Sequence, residues 1–223
     1  MASTIPSIAC LGVIGRNNNP LHISVFPSYD AATNSLVPVR TPLQFSLIIC
    51  GTLDIFAVRS AAAVTAKTTG SSSAGLSGAS DANGLLLLHA LDDRLAAYGY
   101  ETNTGIKLVA VVDMRGRRAS VLGGNLVAAT PSSGTGASSG SASAGNRNSM
   151  SLGGSVTGLR ETDLKPVFKA MQAAFVRLLQ NPFFDPDEHS PPSGHGGKKI
   201  TSRRFDGDMQ RIGEAWMPGV SIA

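Results

Sequence analysis

The chain has 223 residues, of which 42% are hydrophobic, and its 19 basic and 15 acidic side chains give a formal net charge of +4. The surplus is local, because residues 115–160 contain five arginines and no acidic residue, whereas the rest of the sequence is close to neutral. A nucleic-acid-binding domain would carry Lys and Arg on a folded face with aromatic side chains between them, so this composition argues against a nucleic-acid partner. The length favours one domain that carries long insertions.

Two apolar segments near the start of the sequence predict a first pair of strands. Residues 8–14 are an unbroken apolar run with no charged segment before them, so they are better explained as a strand than as a secretory signal. After a turn, residues 21–26 alternate between apolar and polar side chains, with Leu21 and Ile23 on the inward side. We expect an antiparallel hairpin, followed by a loop over residues 27–38.

Thr41 and Pro42 predict the start of a helix, because threonine caps a helix well and proline suits its first position. The helix is expected to reach about residue 66 and to be mostly covered by the rest of the protein. Asp54 is unusual in this apolar segment. It either lies at the solvent edge, paired with Arg59 or water, or provides a polar contact on a partner-binding face. A carboxylate would cost about 2.5–3.5 kcal/mol at the centre of a lipid-spanning helix, so membrane insertion is not expected.

The stretch 98–114 predicts two central strands joined by a tight turn at residues 102–105, with a further strand before them at 85–90. Asn and Gly accept the positive φ angles that such a turn requires. Beyond the turn the chain alternates, and both alternating sets are largely apolar, which is typical of a strand covered by helices on both faces. The two sets are Ile106, Leu108, Ala110 and Val112 on one face and Lys107, Val109, Val111 and Asp113 on the other.

Two amphipathic helices complete the predicted elements. The first begins at Thr162 or Asp163 and ends at Asn181, which precedes a proline. The second begins near Ser202 and places Phe205 and later apolar residues on one stripe. The resulting order β-β-α-β-β-β-α-α predicts an α+β domain built on an antiparallel sheet.

Three segments interrupt this single domain, which is expected to span residues 1–223. Residues 68–83 and 115–160 are rich in Gly, Ser and Ala and predict disordered insertions, because they cannot bury enough apolar surface to offset the entropy lost on ordering. A flexible loop is expected at 187–200. Ser120 follows arginines at two and three positions before it, a pattern that suits basophilic kinases, so it is a candidate phosphorylation site. An unmodified basic loop is the alternative.

Patterns that suggest catalysis or metal binding lack the context that they need. Ser138 sits in a G-x-S-x-G pattern, but without the preceding strand and following helix of a nucleophile elbow. The four histidines are scattered and have no metal-ligand spacing. We therefore expect no catalytic residue, metal, cofactor or small-molecule substrate. Cys10 and Cys50 are expected to be reduced, buried thiols.

The sequence resembles the sedlin-related subunits of the transport protein particle (TRAPP) tethering complexes, most of all their subunit 2-like branch. Besides the first predicted hairpin, the resemblance rests on motifs in the first helix, the central strands and the last third of the chain. These motifs are Thr52-Leu-Asp54, Gly99-Tyr-Glu-Thr-Asn-Thr-Gly-Ile-Lys-Leu108 with Val111-Val-Asp113, and Asn181-Pro-Phe-Phe-Asp-Pro186 with Ser202-Arg-Arg-Phe-Asp206. The insertions depart from the family pattern and are of the sort that fungal proteins often carry.

The resemblance implies a longin-like (SNARE-like) fold, with one helix on one face of a five-stranded antiparallel sheet and two on the other. It also implies a non-catalytic adaptor that binds other TRAPP subunits and indirectly supports nucleotide exchange on a Rab-type GTPase. Such a protein would be cytoplasmic and would associate peripherally with Golgi and ER-Golgi membranes. In the sedlin family the residue corresponding to Asp54 lies at a surface important for partner contact, which favours that role here.

Two alternatives remain open. One is a longin-type binding module outside TRAPP that takes a small molecule or a lipid tail. The other is a hydrolase that uses Ser138.

Overall fold

A computed structural model describes most of the predicted domain and shows its elements. The described residues are 4–59, 85–118, 159, 161–194 and 196–218. The strands are β1 (Thr4–Ile14), β2 (Pro20–Val25), β3 (Ser28–Asp30), β4 (Ser35–Val37), β5 (Leu85–Ala90), β6 (Leu95–Glu101) and β7 (Lys107–Arg118). The helices are α1 (Pro42–Gly51), α2 (residues 53–59), α3 (Glu161–Leu179), α4 (Pro186–His189) and α5 (Arg203–Ala215).

The predicted α+β class with a five-stranded antiparallel sheet is confirmed. The strands of the sheet follow the order β2-β1-β7-β6-β5, so the strand after the central turn lies in the middle. Its two faces contact different cores, as the alternation of its side chains predicts. Leu108 and Ala110 pack with α3 and α5, whereas Val109 and Val111 pack with α1 and α2. The sheet therefore carries one helical layer on each face.

The turn between β6 and β7 lies where its sequence predicts, but of Asn103 and Gly105 only Gly105 has the expected positive φ angle. Gly105 has φ +78°, a value that favours glycine. The Thr102 backbone N–H donates to the Ile106 carbonyl over 2.8 Å, and the Thr102 Oγ1 accepts from the Ile106 N–H over 3.1 Å. These bonds fix the register in which Tyr98 lies opposite Ala110.

The first hairpin differs from the prediction at one residue. Leu21 was expected to share a face with Ile23, but it packs against the α3–α5 core, while Ile23 packs against the α1–α2 core. The cause is a bulge, because His22 pairs with Val13 while Pro20 pairs with Ile14, which leaves Leu21 as an extra residue. An extra residue in one strand reverses the alternation of the side chains before it.

The region expected to be a loop after β2 contains the small hairpin β3–β4. Asp30 accepts hydrogen bonds from the Ala32 N–H and the Thr33 hydroxyl, and Asn34 has φ +51°. Asp and Asn tolerate these turn conformations better than most residues. Arg118 lies over the Tyr29 ring at 4.9 Å, so the hairpin packs at the end of β7.

Of the three segments expected to be irregular, two lie largely outside the described residues. The third, 187–200, is described except for residue 195. Residues 68–83 and 119–158 lie outside the described residues. Strand β7 continues through Arg118, beyond residue 115 where the second insertion was expected to begin, because Thr4 and Ile5 pair with it there. The described part of 187–200 is joined to the β1–β2 turn by hydrogen bonds from Asn17 and Asn19.

Candidate partner-binding surface

The start of α1 is fixed by local sequence. The Thr41 Oγ1 accepts a hydrogen bond from the Gln44 N–H over 3.3 Å, and the Gln44 Oε1 accepts one from the Thr41 N–H over 3.0 Å. This reciprocal pair is a capping box, and Pro42 occupies the first helical position. The helix begins where the sequence predicts.

A turn at Thr52 separates α1 from α2. The buried Thr52 hydroxyl donates to the Ile49 carbonyl over 2.6 Å, and the Phe56 N–H donates to the Thr52 carbonyl over 3.1 Å. The two short helices therefore follow each other closely along the sheet. A local side-chain bond of this kind commonly bends a helix.

The inner side of α1 and α2 packs closely on the sheet. Phe45, Ile49 and Phe56 are buried there. Gly12 of the sheet makes room for this contact, because a Cβ at that position would lie 2.6 Å from the Ile49 Cδ1. Gly99 does the same for Phe56, whose Cζ would lie 2.5 Å from an added Cβ.

The outer side of the same helices is apolar and exposed. Leu43, Leu47 and Val58 are 70%, 66% and 69% exposed, and they follow one another along one stripe of the helices. Cys50 and Asp54 lie on the same stripe and are also exposed. The expectation of a mostly covered helix is therefore wrong for this side. We call the outer side of Pro42–Arg59 the α1–α2 face.

Asp54 is exposed in the middle of this apolar face. Pairing with Arg59 was one alternative that the sequence left open, but the Arg59 guanidinium donates to the Leu87 carbonyl over 2.9 Å. Asp54 thus provides a carboxylate to solvent among exposed leucine and valine side chains. Large apolar residues around a single polar group are typical of the centre of a protein interface.

The length and mean hydropathy of 1.3 over Pro42–Arg59 also meet the criteria for a membrane-crossing helix. Packing of Phe45, Ile49 and Phe56 on the sheet accounts for the apolar residues of the inner side. The outer side, where the exposed apolar residues concentrate, is the part that packing within the described chain leaves unexplained.

Asp113, the last residue of the Val111-Val-Asp113 motif, stabilises the fold. Its carboxylate is fully buried and accepts hydrogen bonds from the Arg94 Nε and Nη2 at 2.8–3.0 Å. Arg94 also donates to the Tyr29 carbonyl, and its bonds to Asp113 raise the pKa of Arg94. The pair connects β7, the β5–β6 turn and the β3–β4 hairpin.

The other sequence candidates fall in separate places. Ser120 and Ser138 lie outside the described residues. Cys10 is buried, and burial raises the pKa of its thiol, whereas Cys50 is exposed, so the expectation of two buried thiols is wrong for Cys50. Within the described part of the chain, no group of three His, Cys, Asp or Glu side chains could hold a metal ion.

Sequence reasoning missed one exposed aromatic residue. Phe183 follows the end of α3 and is 95% exposed, whereas its neighbour Phe184 packs over the His189 ring with the ring centroids 4.4 Å apart. Because two consecutive phenylalanines in a tight turn cannot easily face the same core, the sequence could have indicated that one of them is exposed.

The fold is that of a longin-like domain, and its α1–α2 face leaves an apolar surface exposed on one helical layer. The chain matches the family model described as sedlin over residues 13–215. It therefore belongs to the sedlin family, and membership of this family implies a structural subunit of a multisubunit TRAPP complex. A comparison with curated proteins finds no significant match.

Proposed function

We infer that this protein is a non-catalytic assembly subunit of a TRAPP vesicle-tethering complex and that its α1–α2 face binds a neighbouring subunit. It supports nucleotide exchange on a Rab-type GTPase through the assembled complex, in ER-to-Golgi and Golgi traffic. Its location is then cytoplasmic, with peripheral association with those membranes. The same proposal assigns the protein to the subunit 2-like branch of the family and to a fungal source. Support comes from the match to the sedlin family and from the resemblance motifs.

The observation that carries the proposal is the exposed apolar stripe around Asp54. Leucine and valine side chains at this exposure are removed from water when a partner covers them, which contributes about 25 cal/mol per Å² of apolar surface. Asp54 gives this face its specificity, because a partner must supply a donor or a cation to a carboxylate that it buries.

The test is affinity purification of the full chain from its own cells, followed by mass spectrometry of the recovered subunits. Leu47→Glu is expected to abolish recovery of the neighbouring subunit, and Asp54→Asn to reduce it about tenfold. Leu36→Glu is the matched control, because Leu36 is also 66% exposed but lies on β4. Equal loss in the Leu36 and Leu47 variants would contradict the role of the α1–α2 face, and recovery without any other TRAPP subunit would contradict the proposed function.

A second candidate function, a binding module outside TRAPP, is favoured by one cleft. The cleft has a volume of about 360 Å³ and lies between the β3–β4 hairpin and the end of α5, with Phe26 and Leu36 in its walls. Ser7 lines it, is 4% exposed, and has a hydroxyl without a hydrogen-bond partner among the described residues. Native mass spectrometry of the purified chain decides between the two functions. A retained lipid or small apolar molecule that Phe26→Ala releases would support the second one.

Phosphorylation of Ser120 is part of the proposal as a regulatory modification. A phosphate would add a charge of about −1.5 to −2 next to Arg117 and Arg118. Phosphopeptide mapping of the protein purified from cells tests whether Ser120 is phosphorylated. An unmodified Ser120 in both growing and arrested cells would contradict this part of the proposal.

A further inference from the structure

A groove follows the contact between α3 and α5, in the helical layer opposite the α1–α2 face. It runs from Lys165 and Ala215 at one end to Pro182 and Ser202 at the other, which is about 25 Å at the rise of an α-helix. It has two parts of about 550 and 600 Å³ that share Arg177 and Asp208 and meet at this ion pair. We call it the α3–α5 groove.

The groove has a surplus of positive charge. Its basic side chains are Lys165, Lys169, Arg177, Arg204 and Arg211. The acidic side chain in its lining is Asp208, which is 6% exposed. Both Asp208 oxygens are engaged at 3.3 Å, one with Arg177 and one with Arg211, so its charge is already neutralised within the protein. The remaining positive charge attracts negative groups and steers them into the groove.

Small side chains line one part of the groove. They are Pro166, Ala170 and Ala173 on α3 and Ala215 at the end of α5. Small residues let the backbone of a bound segment approach closely. A trough of this length therefore has room for a peptide segment between its charged walls.

An exposed apolar flank accompanies the groove. Lys169, Val176 and Phe183 follow each other at intervals of seven residues, and Val176 and Phe183 are 44% and 95% exposed. The Phe183 backbone N–H donates to the Asn181 Oδ1 over 3.2 Å. Exposed aromatic side chains are enriched in protein interfaces.

We propose that the α3–α5 groove binds an acidic segment of a second protein. The carboxylates of the segment pair with Lys169 and Arg204, and an apolar side chain of the segment packs against Val176 and Phe183. A peptide fits better than a lipid surface because the two parts of the groove are concave and together extend about 25 Å along the two helices, whereas a membrane is flat. Since the α1–α2 face lies across the sheet, the chain binds two partners at once and bridges them.

The test places a benzoylphenylalanine photocrosslinker at Ala173 of the full chain in its native complex. Ala173 is exposed in the groove. The peptide that is crosslinked is identified by mass spectrometry. We expect one recurring peptide with more acidic than basic residues and at least one large apolar residue.

A charge-reversal pair shows whether the groove charges hold this segment. Lys169→Glu with Arg204→Glu reverses one exposed residue in each part of the groove and is expected to reduce the crosslink about tenfold. Lys199→Glu with Arg203→Glu is the matched control, because these residues are exposed, change the net charge equally and do not line the groove. The control is expected to keep the crosslink, and thermal unfolding confirms that both variants fold.

Four outcomes would overturn the proposal. The crosslinked peptide could be neutral or basic. The crosslink could be absent. The groove variant and its control could lose the crosslink equally, which would indicate a general effect of net charge. Flotation with vesicles of phosphatidylcholine containing 30% phosphatidylserine could be lost in the groove variant alone, which would assign the groove to a membrane surface instead.

Discussion

The two helical layers of this protein pack on the same sheet with similar apolar inner sides, yet their outer sides differ. The α1–α2 face exposes Leu43, Leu47 and Val58 around one carboxylate, whereas the α3–α5 groove exposes lysine and arginine beside Phe183. The inner sides are alike because both must exclude water from the sheet. The outer sides are free of that requirement and can differ in chemistry, and the two proposed partner sites rest on this difference.

The largest expected effect comes from breaking the Arg94–Asp113 pair, which joins the central strand of the sheet to the β3–β4 hairpin. Asp113→Ala leaves the Arg94 guanidinium without its bidentate partner at the edge of the core, and we expect the free energy of unfolding to fall by about 3–5 kcal/mol. Urea denaturation measures this loss. Asp54→Ala is the control and should change stability by less than about 0.5 kcal/mol, because Asp54 is exposed. Similar values for the two variants would contradict the framework role of Asp113.

Two glycines of α5 allow the inner and outer sides of one helical layer to be compared, because Gly213 lies against the Phe26 ring and Gly207 has open space beside it. A Cβ on Gly213 would overlap the Phe26 ring, so Gly213→Ala is expected to lower stability by about 1–3 kcal/mol. Nothing lies within 4 Å of a Cβ on Gly207, so Gly207→Ala is expected to raise stability by about 0.5–1 kcal/mol. Thermal unfolding of the two variants measures both effects. An increase in stability in both variants would mean that helix propensity, and not packing, decides at these positions.

The smallest expected effect concerns pH and the contact between β2 and α5. Burial lowers the pKa of His22 below 6.5, and Asp206, 3.4 Å from its Nδ1, partly opposes this shift. The unfolded chain therefore binds a proton more readily than the folded one, and stability falls as pH drops from about 6.5 through the lowered pKa. Asp206→Asn lowers the pKa further and should increase this acid loss.

Urea midpoints at pH 5 and pH 7 measure the His22 effect, and the difference between them should be larger in Asp206→Asn than in the unmodified protein. His22→Gln is the control, because it removes the titrating group and should reduce the difference. An unchanged difference in both variants would show that other groups determine the acid response.

Much of the fold follows from local patterns in the sequence. The alternation after Gly105 predicts which residues of β7 face each core, and the structure has them there. Thr41 and Ser202 cap the helices that they were expected to begin. These features depend on neighbours in sequence, since side-chain period and capping bonds extend over only a few residues.

Other features could not be predicted in this way. The bulge at Leu21 depends on how β2 pairs with β1, and the Arg94–Asp113 pair depends on two turns that meet in space. The sequence did single out Asp54 as unusual in an apolar segment, but it did not show that this side of the helix is exposed. The exposure of a helix face depends on what packs around it, which local pattern does not contain.

The sequence by itself determined the order of the five sheet strands and of the helices that pack on them, the two faces of the central strand and the resemblance to the sedlin family, because each is encoded in residues close together along the chain. Only the tertiary structure decided that the α1–α2 stripe faces solvent and that basic side chains from α3 and α5 line one groove. The physical reason is that burial and charge density depend on distances between segments far apart in sequence, and these distances are fixed when the sheet brings its two helical layers together.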